Sequence, residues 1–181
     1  TVCLGSSITL TDATPGGAFS GGGSVAIVAP GGMVTGVSLG LAIITYTIGG
    51  TLCDVTTAVS VDPLPAAIVD AGGVVCQGAS ILYTEPDPGG TWSSTNVGIA
   101  SVGVLTGAVT GVTAGTTSIV YTLPTGCTAA TPVNVIAAPV STITPAGPTT
   151  FCAGGSVVMN GPAGAGFTYQ WNKAGVPIPG S

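Results

Sequence analysis

The sequence predicts an all-β chain made of tandem, disulfide-stapled β-sandwich modules. Three observations carry that expectation. A residue pattern recurs every 73 to 75 residues, short runs alternate apolar and polar side chains, and cysteines return at matching places in the repeat.

The repeat has several independent anchors. Cys3-Leu4-Gly5-Ser6-Ser7-Ile8 aligns with Cys76-Gln77-Gly78-Ala79-Ser80-Ile81, and Pro15-Gly16-Gly17-Ala18-Phe19-Ser20 with Pro88-Gly89-Gly90-Thr91-Trp92-Ser93, both at an offset of 73. Val34-Thr35-Gly36-Val37 aligns with Val109-Thr110-Gly111-Val112, and Tyr46 with Tyr121, at an offset of 75. Cys53 matches Cys127, and Val59-Ser60-Val61 matches Val133-Asn134-Val135, at an offset of 74. Short loop insertions account for the drift. A third unit opens at Cys152-Ala153-Gly154-Gly155-Ser156-Val157 and then diverges through Phe167-Thr168-Tyr169-Gln170-Trp171. The joins Asp62-Pro63-Leu64-Pro65 and Ala137-Ala138-Pro139 mark the boundaries. The expected domains are therefore 1–62, lacking its first strand, 63–137, and 138–181 as the N-terminal part of a further module. The opening on Thr1-Val2-Cys3 has no signal-peptide character, so a larger precursor is expected.

Within a repeat, the strands follow from periodicity. Val55, Thr57, Val59 and Val61 alternate with Thr56, Ala58 and Ser60, the period-2 pattern of a half-buried strand. Ala42, Ile44 and Tyr46 form one face of the strand before it. Ser6 to Thr11, Ala18 to Ser20, Val25 to Val28 and Met33 to Val37 are shorter candidates, punctuated by Pro15-Gly16-Gly17, Gly21-Gly22-Gly23, Pro30-Gly31-Gly32 and Gly49-Gly50. About seven short strands in such a repeat describe a β-sandwich. A β-helix would show a shorter period.

Composition agrees. Charged residues make up 4%, against about 25% in ordinary soluble domains. There are 27 Thr, 14 Ser and 31 Gly, while long helix formers are nearly absent. Lys173 is the only basic residue and the net charge is −5, which excludes the basic patch that nucleic acid or an anionic membrane surface requires. The longest apolar stretch, Leu39 to Ile48, is interrupted by Gly40, Thr45 and Thr47 and falls short of the ~20 residues of a spanning helix. The aromatics are too few for the girdles of an outer-membrane barrel.

The five cysteines lack the CxxC knuckles and histidines of zinc sites. Cys3 and Cys53 are 50 residues apart and Cys76 and Cys127 are 51 apart, so the expected staples are Cys3–Cys53 and Cys76–Cys127. Each closed loop would restrain the unfolded chain by about 4 kcal/mol in the entropic model. Cys152 is expected to pair with a cysteine beyond Ser181. The rival is a bond between modules, for instance Cys53 with Cys76. Disulfides imply an oxidising, exported setting, extracellular or on a cell surface.

Gly32-Met33-Val34-Thr35-Gly36-Val37, Gly40 and Ala42-Ile43-Ile44-Thr45-Tyr46-Thr47 resemble the signature of bacterial Ig-like group 2 (BIG2) domains, and Gly107 to Val112, Gly115-Thr116-Thr117 and Ser118 to Thr122 repeat it. Gly90-Thr91-Trp92-Ser93-Ser94 and the late Cys127 are similar to the variant found in tandem arrays of large Bacteroidota surface proteins. The third unit is similar to PKD-like or Ig-like modules through Cys152, Tyr169-Gln170-Trp171 and Gly175-Val176-Pro177-Ile178-Pro179-Gly180. The resemblance covers residues 1 to about 137 and implies an immunoglobulin-like fold. Spacers, adhesins and filament parts share it, and it supplies no catalytic residues.

The residues offer little for catalysis. Serines are plentiful, but there is no histidine to act as their base. The glycine-rich stretches lack a following Lys-Ser or Lys-Thr, so no phosphate loop is indicated. Glu85 and Asp87 sit two apart in a proline-rich turn. A glycosidase pair would need a cleft between them, and a calcium ion near them would need several more oxygens, for which Asp12, Asp54, Asp62 and Asp70 are candidates. No cofactor is expected otherwise. Trp92 and Tyr83 suit a sugar-stacking platform, but Phe19 occupies the Trp92 position in the first repeat, which favours a shared core role. Asn96, Asn134, Asn160 and Asn172 all fail the N-glycosylation sequon, leaving O-linked glycans on the Thr-rich surface.

Two functional readings follow. The first is a non-catalytic structural or adhesive repeat of a large exported bacterial surface protein, associating with copies of itself or with adjacent modules in a stalk or filament. Its low charge removes the repulsion that keeps surfaces apart. The second is an accessory or carbohydrate-binding module of a secreted enzyme.

Overall fold

The structure is a computed structural model that describes residues 1–50, 53–70, 72–138, 142–161 and 170–178. It is all-β and immunoglobulin-like. The chain divides into two compact units, Thr1–Ala137 and Ala138–Ser181. Pro139, Phe167, Thr168, Tyr169, Pro179 and Gly180 lie outside the described residues.

Unit 1 contains both copies of the repeat. Module 1 has β1 (Val2–Cys3), β2 (Ser7–Thr9), β3 (Gly17–Gly21), β4 (Ala26–Val28), β5 (Met33–Gly36), β6 (Gly40–Ile48) and β7 (Asp54–Asp62). Module 2 has β8 (Val74–Cys76), β9 (Ser80–Leu82), β10 (Thr91–Ser94), β11 (Ala100–Val102), β12 (Ala108–Gly111), β13 (Gly115–Thr122) and β14 (Thr128–Ile136). In module 1 the order β1-β7-β6-β3 faces a second sheet, β2-β5-β4; module 2 repeats this as β8-β14-β13-β10 and β9-β12-β11. The first strand of each module runs parallel to the last, with Cys3 opposite Asp62 and Cys76 opposite Ile136. Module 2 has one further pairing ahead of β8, a bridge from Val69 to Thr84.

Inward-facing residues of the two sheets build one core per module, as strand alternation dictates. Val2, Ala26, Val34, Ala42, Ile44, Val59 and Val61 fill module 1. Val75, Tyr83, Trp92, Ala100, Val109, Ile119, Tyr121, Val133 and Val135 fill module 2. The alternation in β7 is cut short, because Val55 and Thr57 are exposed while Val59 and Val61 are buried. The strands of the second sheet are only three or four residues long, and the outer half of β7 extends past them, while Ile44 and Tyr46 beside it on β6 stay buried.

An aromatic pair ties the proline-glycine loop to each core. Phe19 lies 4.7 Å from Tyr46 between ring centroids, and Trp92 lies 4.8 Å from Tyr121. The Tyr46 hydroxyl accepts from Gly17 N (3.0 Å) and donates to Thr14 O (2.5 Å). Tyr121 accepts from Gly90 N (2.9 Å) and donates to Asp87 O (2.5 Å). Any Cβ at Gly17 or Gly90 would stand 2.5 Å from the tyrosine ring, which is why both loops carry glycine there.

Unit 2 has β15 (Thr144–Pro145) paired with β16 (Met159–Asn160), and β17 (Asn172–Lys173) paired with β18 (Val176–Pro177). Ala174 and Gly175, both at positive φ, make the second hairpin's two-residue turn, the backbone that matches the strands' own twist. Trp171 is half-buried and its carbonyl accepts from Ile178 N. Among the described residues, no helix is long and apolar enough to cross a membrane.

Candidate functional site

The junction between modules 1 and 2 carries a covalent bridge. A disulfide joins Cys3 to Cys127, with Cα atoms 5.6 Å apart. This corrects the expected staples Cys3–Cys53 and Cys76–Cys127. The reason is the parallel pairing of first and last strands. Cys3 lies beside Asp62 at the C-terminal end of β7, whereas Cys53 precedes that strand's N-terminal end. The nine residues of β7 put about 30 Å between them at ~3.3 Å per residue, far beyond the ~7 Å limit on Cα separation in a disulfide. Cys76 and Cys127 flank β14 in the same way. The rival bond from Cys53 to Cys76 fails too, because the two stand at the outer ends of the module pair. Among the described residues no strand of one module packs along a strand of the other, so the modules follow end to end. Cys152 is exposed and has no disulfide partner among the described residues.

Further contacts reinforce the bridge. The Thr1 hydroxyl donates to Thr125 O at 3.4 Å, in the turn that carries Cys127. In the linker, Pro65 is buried and Ile68 packs against the module 2 core. Ala66 N donates to the Asp87 carboxylate (2.8 Å). Leu4 N donates to Asp62 O (2.9 Å), fixing the strand that carries Cys3. A proline-rich linker held at both ends by hydrogen bonds and shunted by a disulfide leaves little freedom to bend.

The structure gives the acidic residues local work. Asp87 N donates to Glu85 Oε2 (2.7 Å), while Glu85 Oε1 is buried without a protein partner. Desolvation pushes the Glu85 carboxyl above its usual value; the Asp87 N–H opposes this and the Asp87 charge adds to it. Asp12 and Asp70 accept from Thr14 N and Gly72 N in their own turns, and Asp62 from the Ser60 hydroxyl. Asp54 is exposed at the start of β7. Among the described residues, no three His, Cys, Asp or Glu are grouped to hold a metal ion.

Trp92 is 6% exposed and Tyr83 1%, so neither presents a ring face to a sugar. The Tyr83 hydroxyl is pushed up in pKa by burial and by the Asp70 charge. The hollow beside Glu85, Asp87 and Trp92 holds about 290 Å³, and one beside Phe19 and Tyr46 about 240 Å³. Both sit at the small end of the ~300–1,000 Å³ usual for small-molecule sites.

The junction could have been read from the sequence only by combining two signals. An immunoglobulin-like first strand that runs parallel to the last puts Cys3 at the wrong end of β7 for Cys53. The late cysteine of the next repeat is then the one within reach.

No family model matches the chain, and no curated protein matches it. Among solved structures, the chain is similar to domains 4 and 5 of the S-layer protein SbsC, at 26% identity over 67% of this chain and 71% of that one, with a TM-score of 0.30. It is similar to the C-terminal 282-residue fragment of intimin, solved with the intimin-binding domain of its translocated receptor, at 20% identity over 77% of this chain and 59% of that one, TM-score 0.37. It is also similar to the extracellular cadherin domains 1–5 of protocadherin gamma B2, at 14% identity over 80% of this chain and 40% of that one, TM-score 0.31.

Proposed function

We propose that this chain is a non-catalytic structural segment of an exported bacterial surface protein, a stalk of BIG2-like modules built to bear tension. The single observation behind this reading is the position of the Cys3–Cys127 bond. Tension applied along unit 1 enters at β1, crosses the disulfide and leaves through β14. Of the core residues, Val2 of module 1 and Val133 and Val135 of module 2 lie on that path, and the rest lie outside it. A bond within each module would leave the junction unprotected, whereas this one removes 124 residues of chain from the extensible length.

The test is to pull the chain from its two ends by single-molecule force spectroscopy, with and without reductant. Reduction is expected to release roughly 400 Å of extra contour length from unit 1, at ~3.3–3.6 Å per residue. Equal extension in both conditions would sink the reading. Trp92 and Tyr83, the aromatic pair that would serve the accessory carbohydrate-binding alternative, are core residues and give it no support.

A further inference from the structure

We propose that an open groove at the outer end of module 1 takes up an extended strand of another protein, with the chemistry of Pro65-Ala66-Ala67-Ile68-Val69. Module 2 supplies the template, because that segment of the linker fills the matching place there. The groove runs along the N-terminal half of β7, at the end of the strand away from Cys3, and is separate from the disulfide bridge.

The modules differ in what closes the gap between their sheets. In module 2, Tyr83 spans it, and its hydroxyl donates to Pro132 O of β14 (3.4 Å). Ile68 packs against the same core and Pro65 is buried. Val69 then adds a rung at the sheet edge. Its N–H donates to Thr84 O (2.9 Å) and its carbonyl accepts from Thr84 N (3.0 Å).

In module 1, Leu10 stands in the place of Tyr83. Leu10 N donates to Gly32 O as Tyr83 N donates to Gly107 O. Leu10 has no hydroxyl to reach β7, and a groove of about 240 Å³ remains, lined by Leu10, Phe19, Ile44, Tyr46, Val55 and Thr57. Val55 is 56% exposed, whereas its counterpart Ala129 is half-buried. Thr11, the counterpart of Thr84, has no backbone partner for its N–H or its carbonyl among the described residues.

An apolar floor beside an unpaired N–H and C=O at a sheet edge is what strand addition uses. The backbone bonds give affinity and the inward side chain gives selectivity. The occupant sets an isoleucine or a similarly large apolar side chain against Ile44 and Val55, and its next residue bonds Thr11. A second copy of this chain has no such strand to supply. Its own Pro65–Val69 segment is engaged in module 2, and the next join carries Thr142 at the position matching Ile68.

The probe is a fluorescein-labelled peptide copying residues 63–70, titrated against the full chain and followed by anisotropy. It is expected to bind the parent chain. Val55→Asp sets a charge on the apolar groove at an exposed position, and should weaken binding by about tenfold or more while circular dichroism stays unchanged. A peptide carrying Ile68→Asp should lose affinity for the parent chain to the same degree, a readout that needs no variant protein. Leu41→Thr, on the outer face of the same sheet, should bind the peptide as the parent does. No binding at millimolar peptide, equal binding by the Val55→Asp chain, or equal binding of the two peptides would overturn the proposal. Self-association of the chain that the peptide dissolves would overturn it as well, by assigning the groove to a second copy.

Discussion

Cys127 reaches back 124 residues to Cys3, so that the last hairpin of module 2 is bonded to the first strand of module 1. Neither cysteine contributes to holding its own sandwich shut. Each module instead relies on its own apolar core and its tyrosine-bound loop, and the disulfide acts on the relation between modules.

Serine at Cys3 or Cys127 is therefore expected to loosen the junction while leaving both sandwiches intact. If unit 1 unfolds as one body, the entropic model gives a loss of about 4–5 kcal/mol for a loop of this length. Urea titration followed by circular dichroism checks the loss, and an unchanged native spectrum checks the fold. Reductant should then have no further effect on the melt of either variant.

Tyr121→Phe removes one hydroxyl that serves two backbone groups, Gly90 N and Asp87 O. The expected cost is about 1–2 kcal/mol, since two part-buried backbone groups lose their partner. Tyr46→Phe should cost a similar amount in module 1, where Gly17 N and Thr14 O are the partners. Chemical denaturation of the two single variants and the double variant measures this. Near-additivity is expected, because each loop belongs to a separate core.

Trp92→Ala should act through stability. Its ring is packed against Tyr121 in the module 2 core, and truncating a buried aromatic typically costs about 3–5 kcal/mol. A polysaccharide pull-down with Trp92→Phe, which keeps much of the packing, should match the parent chain. Specific loss of sugar binding in a well-folded Trp92→Phe protein would count against the core role.

Glu85 carries a pH signature. Its folded-state value is raised, so the folded chain holds this proton more tightly than the unfolded chain does. The stability it contributes is present below the ordinary carboxylate value and is lost as pH rises through the raised one. Glu85→Gln keeps an acceptor for Asp87 N and removes the buried charge. The variant's melting temperature should match the parent's in acid and exceed it at neutral pH. Melting curves across the pH range read the difference, and a constant offset at every pH would contradict it.

The outer sheet faces differ between the modules. Leu41 and Ile43 are 63% and 53% exposed on β6, where module 2 has Thr116 and Ser118. Leu41→Thr with Ile43→Ser is expected to shift stability by no more than about 0.5 kcal/mol per site, as surface changes usually do. Lateral association, measured by sedimentation at rising concentration, should weaken.

What the sequence determined by itself was local and repetitive. Offsets of 73 to 75 residues matched the two modules strand for strand, and period-2 alternation marked Ala42, Ile44, Tyr46, Val59 and Val61 as core. Phe19 standing in the place of Trp92 pointed to a packing role for both. These features are legible because a strand's two faces are written directly in the order of its residues. Alternation failed at Val55 and Thr57, since it says which way a side chain points and not whether anything covers it. The tertiary structure alone decided the partner of Cys3. A disulfide requires two Cα atoms within about 7 Å, and matched spacings of 50 and 51 residues carry no information about which end of a strand each cysteine occupies. The parallel pairing of β1 with β7 put Cys3 and Cys53 at opposite ends of one module. The end-to-end succession of modules then brought Cys127 to Cys3.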